Sequence, residues 1–259
     1  MARCMSLMIL AAVAVPVLSA GLPAPDAARS IRPGGPMSPA QATGHDAVPL
    51  ARRTVSANWS GYAAAGRAFR SVSASWTEPT ASCSSNRRRT DQYAAFWVGL
   101  DGYSSGSVEQ TGTDSDCVGT TPDYYGWYEM YPAAPVYFSN TVRAGDHISA
   151  SVTFSGTQTY TLVLKDTTRG WTQTVTKNES GLARSSAEVI TEAPSSSSGV
   201  LPLADFGTVG YTSATANGTS LASHSPTGIV MVDSGGNAED STSAISGAGA
   251  FSNTWLRST

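Results

Sequence analysis

The chain has 259 residues, a formal net charge of −3 and 41% hydrophobic residues. Charged residues make up 14%, against about 25% in an average soluble domain, and beyond Arg53 the lysines are Lys165 and Lys177. That content builds no basic face for nucleic acid, while the apolar fraction suffices for one β-domain of about 200 residues behind a leader.

The leader comes first in the chain. Arg3 precedes an apolar run over 7–18, which ends in Ser19-Ala20-Gly21. A positive start, about 12 apolar residues and a small-residue exit have the form of a secretory signal. The run is shorter than the roughly 20 residues of a membrane span. Residues 1–20 are therefore expected to be a signal peptide, and the processed chain to be secreted and free of membrane. Residues 21–53 hold Pro23, Pro25, Pro33, Pro36, Pro39 and Pro49 without an apolar period. This is the composition of a linker or pro-segment, closed by Arg52-Arg53 as a candidate processing pair. Residues 54–259 then form the folded domain. Cys4 falls in the signal, which leaves Cys83 and Cys117. In an oxidising compartment the default for such a pair is a disulfide, and closing a loop of about 34 residues contributes roughly 3–4 kcal/mol.

From Ala57 onward, short β-branched and aromatic runs alternate with Gly, Ser, Asn and Asp clusters. Strands are expected over 71–76, 93–100, 126–131, 147–154, 160–164, 171–176, 188–192, 208–212 and 228–233. In the 147–154 run, Ile148, Ala150, Val152 and Phe154 alternate with Ser149, Ser151 and Thr153, so one face meets a core and the other water. No window carries a sustained helical period, and no internal repeat is present. The fold class is all-β, a sandwich or barrel, with exposed loops at 82–90, 104–108 and 195–199.

Two serine motifs carry little. Gly102-Tyr103-Ser104-Ser105-Gly106 fits G-x-S-x-G, but that elbow needs a following helix. Asp233-Ser234-Gly235-Gly236 has the form of a trypsin-type nucleophile loop, yet neither His147 nor His224 sits in a segment that would supply the base, and a β-turn explains it better. The three histidines, His45, His147 and His224, stand apart, and no Cys/His spacing suits zinc. No metal or cofactor is expected. Asn58-Trp59-Ser60, Asn178-Glu179-Ser180 and Asn217-Gly218-Thr219 fit the glycosylation pattern, which matters only in a host that uses it. The carboxylates set among apolar residues are more telling. Asp101 ends the run 94–100, Glu129 lies within Trp127-Tyr128-Glu129-Met130-Tyr131, and Glu188 and Glu192 flank Val189-Ile190-Thr191. Beside Trp and Tyr a carboxylate loses hydration and its pKa rises. Position alone leaves each open as a site residue or a solvated group on the outer strand face, and Gln110 by itself reads as a polar turn residue.

Several segments, taken together and in order, resemble one family, the glutamic peptidases or eqolisins. Asn58-Trp59-Ser60-Gly61-Tyr62 is similar to the family's mature start. Phe96-Trp97-Val98-Gly99-Leu100-Asp101-Gly102 resembles its W-V-G-[IL]-D-G segment. Glu109-Gln110-Thr111-Gly112-Thr113-Asp114 resembles its Q-T-G-x-D segment, which carries the catalytic Gln. Trp127-Tyr128-Glu129-Met130-Tyr131-Pro132 resembles W-x-E-x-x-P. Ala187-Glu188-Val189-Ile190-Thr191-Glu192 resembles A-E-W-I-x-E, which carries the catalytic Glu. Leu203-Ala204-Asp205-Phe206-Gly207 resembles F-A-D-F-G.

The resemblance spans about residues 56–235. It implies an antiparallel β-sandwich of two curved sheets, of concanavalin or jelly-roll type, with the substrate cleft on the concave side. It also implies an acid-active, pepstatin-insensitive endopeptidase without metal or cofactor, here expected as a monomer acting on protein or peptide substrates. The catalytic pair would be Gln110 and Glu188. Glu188 as carboxylate would take a proton from a water and pass it to the leaving nitrogen, while the Gln110 amide holds the water and donates to the oxyanion. Asp101 and Asp114 would support the site by orienting the Gln110 loop, and Trp97 and Glu129 would shape the cleft or hydrogen-bond the site. Val189 stands where the family commonly has Trp, a change expected to reshape the cleft wall, and the tail after Gly235 does not align. The competing class is a secreted polysaccharide-binding or glycoside-cleaving sandwich using Glu129 and Glu188 as facing carboxylates; the Gln110 segment is what such an enzyme would not need. A family member that has lost its activity is a third reading, against which the catalytic pair stands intact in the sequence. The scarcity of ion pairs and of charge predicts a fold retained at about pH 3.

Overall fold

The structure, a computed structural model, describes residues 53–83 and 90–258. The expected signal peptide and almost all of the expected pro-segment lie outside these residues. Arg53, expected as the end of the pro-segment, is the first residue of the first strand, and its guanidinium donates to the carbonyl of Thr242 at 2.8 Å.

Two large sheets make the sandwich. In spatial order the first runs Arg53–Ser56, Thr227–Met231, Trp59–Ala65, Ser186–Glu192, Ala95–Leu100, Val108–Val118, Thr121–Tyr131 and Val136–Tyr137. The second runs Trp171–Asn178, Thr159–Asp166, His147–Ser155, Ser71–Thr77, Thr208–Ala216, Phe251–Trp255 and Asp240–Thr242, with Thr219–Ser220 added to Thr208–Ala216. Strand pairing within the two sheets is antiparallel except for Arg53–Ser56, which lies parallel to Thr227–Met231.

Period-2 alternation decides which face of the second sheet is buried. Val72, Ala74 and Trp76 meet Ile148, Ala150 and Val152, then Leu162 and Leu164, on the inner face. The intervening Ser and Thr residues face outward. The first sheet contributes Tyr62, Ala64, Phe96, Val98, Leu100, Ala187 and Val189 to the same core. Unlike the second, it buries its other face too. There Trp59, Ala63, Ala95, Trp97, Tyr125, Trp127, Ile190 and Ile229 form a separate cluster. Burial on both faces explains why Ala95–Leu100 and Ser186–Glu192 read as continuous apolar runs rather than alternating ones.

Every expected strand lies within or overlaps an observed one. The sequence gives no strand signal over Val108–Val118, because Glu, Gln, Asp and Gly crowd both of its faces; yet Val108 to Cys117 are all buried there. Val108, expected at the end of an exposed loop, opens this strand. The 195–199 loop forms a short hairpin of Ser195–Ser196 with Gly199–Val200. Cys83 and Cys117 form the expected disulfide, with Cα atoms 5.4 Å apart, which ties the long strand to the segment after Ser71–Thr77.

Candidate active site

Strand register brings the candidate residues into one row. Glu188 pairs with Gly99, Gly99 with Gln110, and Gln110 with Glu129. Directly opposed residues in a sheet present their side chains on the same face, so Glu188, Gln110 and Glu129 all rise on the face opposite the main core. Glu188 and Gln110 are separated by the one strand that carries Gly99. Two strand spacings put their backbones about 9–10 Å apart, a span that a Glu and a Gln side chain close to the width of one small molecule.

The intervening residue has no side chain for a reason. A Cβ on Gly99 would lie 2.8 Å from the Trp97 ring and 3.2 Å from the Gln110 Cβ. Glycine therefore leaves a notch between the acid and the amide, walled by the Trp97 indole. A Gly99→Ala substitution is expected to fill the notch and lower kcat/KM by about 100-fold, of the order of one misplaced catalytic contact. A near-wild-type rate with an unchanged circular dichroism spectrum would refute the notch as the reaction site.

The hydrogen bonds within the row are asymmetric. The Gln110 amide nitrogen donates to Glu129 at 2.7 Å, which fixes which end of the amide faces the notch. Gln110 Oε1 and both Glu188 oxygens make no hydrogen bond of normal geometry. All three residues are fully buried, and buried polar atoms without a partner are rare enough to need a cause. Burial pushes the Glu188 carboxyl well above the usual carboxylate range, the nearby Ser186 hydroxyl and Tyr103 backbone amide oppose the shift, and Asp101 and Glu109 add to it.

Beyond the row, the same face carries a second tier. Glu192 pairs with Ala95, Ala95 with Asp114, and Asp114 with Tyr125. Glu192 accepts from the Trp97 indole at 2.9 Å and from the Asn58 amide at 3.2 Å. Asp114 accepts from the Trp127 indole and, at 3.0 Å, from the Tyr125 hydroxyl. Burial raises both carboxyls well above the ordinary range. These acids hold the Trp97 and Trp127 rings in place; they do not enter the notch.

Comparison with known proteins gives the family. The model of the Peptidase A4 family matches residues 57–255. The chain belongs to the Peptidase A4 family. Aspergillopepsin-2 of Aspergillus niger is 30% identical over 211 residues, covering 73% of this chain and 74% of the relative. A scytalido-glutamic peptidase solved with a transition-state analogue inhibitor superposes with a TM-score of 0.66 at 29% identity, over 77% of this chain and 98% of that one. Aspergilloglutamic peptidase of Aspergillus niger gives a TM-score of 0.57 at 29% identity, over 64% of this chain and 99% of that one. As a Peptidase A4 member the chain is a peptidase, and its substrates are proteins or peptides.

Within this Peptidase A4 fold some expectations need correction. Val189 does not touch the notch. It points the other way, into the core between the sheets, paired with Val98 and Tyr62, so its replacement of Trp alters core packing rather than the cleft wall. Asp101 lies beside Glu109, the neighbour of Gln110 on its strand, and it also reaches a second segment. It sits at a left-handed φ of 71°, and its carboxylate accepts from the Arg184 amide at 2.6 Å, the Ser185 amide at 2.8 Å and the Ser185 and Ser105 hydroxyls. It thereby clamps the 102–105 turn to the segment that enters the Glu188 strand. The tail that could not be aligned supplies Asp240–Thr242 and Phe251–Trp255 to the second sheet, and the family match runs on through it. Sequence reasoning also missed Tyr103, which packs against the apolar cluster on the site face; its place within G-Y-S-S-G drew attention to Ser104 instead, which is exposed.

Proposed function

We propose that the chain is a secreted, monomeric endopeptidase that works at acid pH, with Gln110 and Glu188 as its catalytic pair and no metal or cofactor. The observation that carries this reading is the notch above Gly99, flanked by Gln110 and Glu188 on one face of the sheet, where Gln110 Oε1 and both Glu188 oxygens make no hydrogen bond of normal geometry. A water bonded to these atoms satisfies all of them, and a peptide carbonyl laid over it completes the reactants. Related structures hold a transition-state analogue and the tripeptide Ala-Ile-His, and the same class of ligand is assigned to this notch.

The direction of the Glu188 shift sets the order of proton movements. Below its raised pKa the group is a neutral acid. One oxygen then donates its proton to the scissile carbonyl oxygen while the other accepts a proton from the attacking water, and Glu188 stays neutral throughout. The water oxygen bonds to the carbonyl carbon, giving a tetrahedral diol. Gln110 Oε1 accepts the second water hydrogen and orients the attack, and the Gln110 amide hydrogen not used by Glu129 donates to the oxygen derived from the carbonyl. In the second step Glu188 donates to the nitrogen and accepts from a hydroxyl, the C–N bond breaks, and an acid and an amine leave. No isolated charge forms in the buried row, which suits a site that desolvates charge strongly. The proposed pair is an acid and an amide rather than two aspartates, so pepstatin, a ligand for paired catalytic aspartates, is expected not to inhibit.

The glycosidase reading loses support in the same row. Gln110 stands between Glu188 and Glu129 and bonds to the latter, so the two carboxyls do not face each other across open space as paired glycosidase acids must. Purified protein spotted at pH 3–4 on casein and on glucan is expected to clear the casein alone. Clearing of glucan alone would overturn the proposal.

A further inference from the structure

Glu109 precedes Gln110 on the same strand, so the two side chains leave opposite faces of the sheet. Glu109 is fully buried, and neither of its oxygens makes a hydrogen bond of normal geometry. It lines a cavity of about 250 Å3 at the end of the strand. Met130, Tyr131, Pro132 and Leu182 give that cavity largely apolar walls, and the exposed Glu179 lines it from the solvent side. None of the residues lining it is basic. A buried carboxyl whose neighbours are the Ser107 hydroxyl and the Asp101 carboxyl is costly to ionise, and the second acid of the cavity, Glu179, excludes an anion as its partner. A wholly apolar guest would leave Glu109 as it is. What complements an acid at the inner end, an acid at the outer end and apolar walls between is a cation on an apolar stem.

We propose that this cavity is a binding site for an alkylammonium or alkylguanidinium group, such as a lysine or arginine side chain, with Glu109 as the buried acceptor and Glu179 as the outer one. The site is separate from the Gln110–Glu188 notch and does not depend on how that notch is read.

The electrostatics add a signature. Burial first, then the charge of Asp101, raises the Glu109 pKa to about 8. The groups that act on it are Asp101 and Ser107 of the loop before its strand, Glu179 from the far wall, Glu188 from the neighbouring strand row, and Tyr160 of the second sheet, beside which Arg184 stands. Because Glu109 is neutral in the empty pocket at acid pH, a cation that pairs with it must expel its proton. Affinity should therefore rise about tenfold per pH unit below the pKa, as for any binding coupled to loss of one proton.

The test is a chemical-shift titration of the Glu188→Gln protein, which leaves peptide probes uncut, at pH 4.5 and 5.5. The probes are N-acetyl-lysine methylamide, its norleucine counterpart and butylammonium. The lysine probe is expected to move the amides of Glu109, Met130 and Leu182 saturably, about tenfold more tightly at the higher pH. The norleucine probe should bind at least tenfold more weakly. Glu109→Gln, with the rest of its spectrum unchanged, should weaken the lysine probe at least tenfold and remove the pH dependence. Tighter binding of the lysine probe than of butylammonium assigns the pocket to peptide side chains, and equal binding extends it to free amines. Absence of shifts at those three amides, equal binding of norleucine, or an unaffected Glu109→Gln variant each overturn the proposal.

Discussion

The protein is expected to melt at its highest temperature between about pH 3 and 5 and to lose its fold as the pH approaches 7–8. The cause is a set of carboxyl groups buried as neutral acids. Burial raises Glu78 to about 8 despite hydrogen bonds from Thr113, Ser115 and Trp76, Glu109 to about 8 and Asp240 to about 7. Asp114, Asp116, Glu188 and Glu192 shift the same way. When the folded pKa lies above the unfolded one, both states are protonated below about pH 4 and the group costs nothing. Above that, the unfolded chain ionises while the folded chain does not, so unfolding releases a proton and stability falls as pH rises. The loss is about 1.4 kcal/mol per pH unit per group and stops growing once the folded pKa is passed. By pH 7, three such groups remove of the order of 10 kcal/mol, comparable to the whole stability of a typical domain, about 5–15 kcal/mol. Acid costs little in return. The ion pair of Arg169 with Asp146 is partly exposed, and such pairs contribute only about 0–1 kcal/mol. Thermal melts followed by circular dichroism at constant ionic strength from pH 3 to 8 check this. A melting temperature that is flat or rises toward pH 7 would contradict it.

Glu188→Gln should lower kcat by about 10⁴-fold, the upper range for a general acid–base group, with little change in KM. The amide keeps the shape and the neutrality of the buried acid, so the fold and the substrate contacts survive. It cannot both give and take a proton, so the relay through its two oxygens stops. Gln110→Ala should cost less, about 10²–10³-fold in kcat, the magnitude found for loss of one oxyanion donor. Combining the two should cost about as much as Glu188→Gln alone, since both act in one step. Single-turnover kinetics on a fluorogenic peptide at pH 4 measures all three. Losses that multiply in the double variant would show two independent functions instead of one dyad.

How much of this was legible in the sequence varies by element. Strands with one wet face, such as His147–Ser155, announce themselves by alternation, because only one set of side chains is apolar. The central strands of the first sheet were legible as apolar runs, because both their faces are covered. Val108–Val118 was not, since it carries the chemistry: Glu109, Gln110, Asp114 and Asp116 are buried in a strand whose composition is that of a loop. The Gln110–Glu188 pairing is likewise invisible in sequence spacing, since 78 positions separate the two in the chain and only the register through Gly99 brings them together. The resemblance to the glutamic peptidases supplied the residues but not the direction in which each one points. That is why Val189 was placed on the cleft wall when period 2 puts it, next to Glu188, on the core side.

The most direct test is hydrolysis of a denatured protein at pH 3–4 with pepstatin present, comparing the wild-type protein with Glu188→Gln and Gln110→Ala after circular dichroism has shown all three folded. The account predicts cleavage by the wild type, residual cleavage by Gln110→Ala and none detectable by Glu188→Gln. Equal cleavage by all three would place the chemistry elsewhere in the molecule and contradict it.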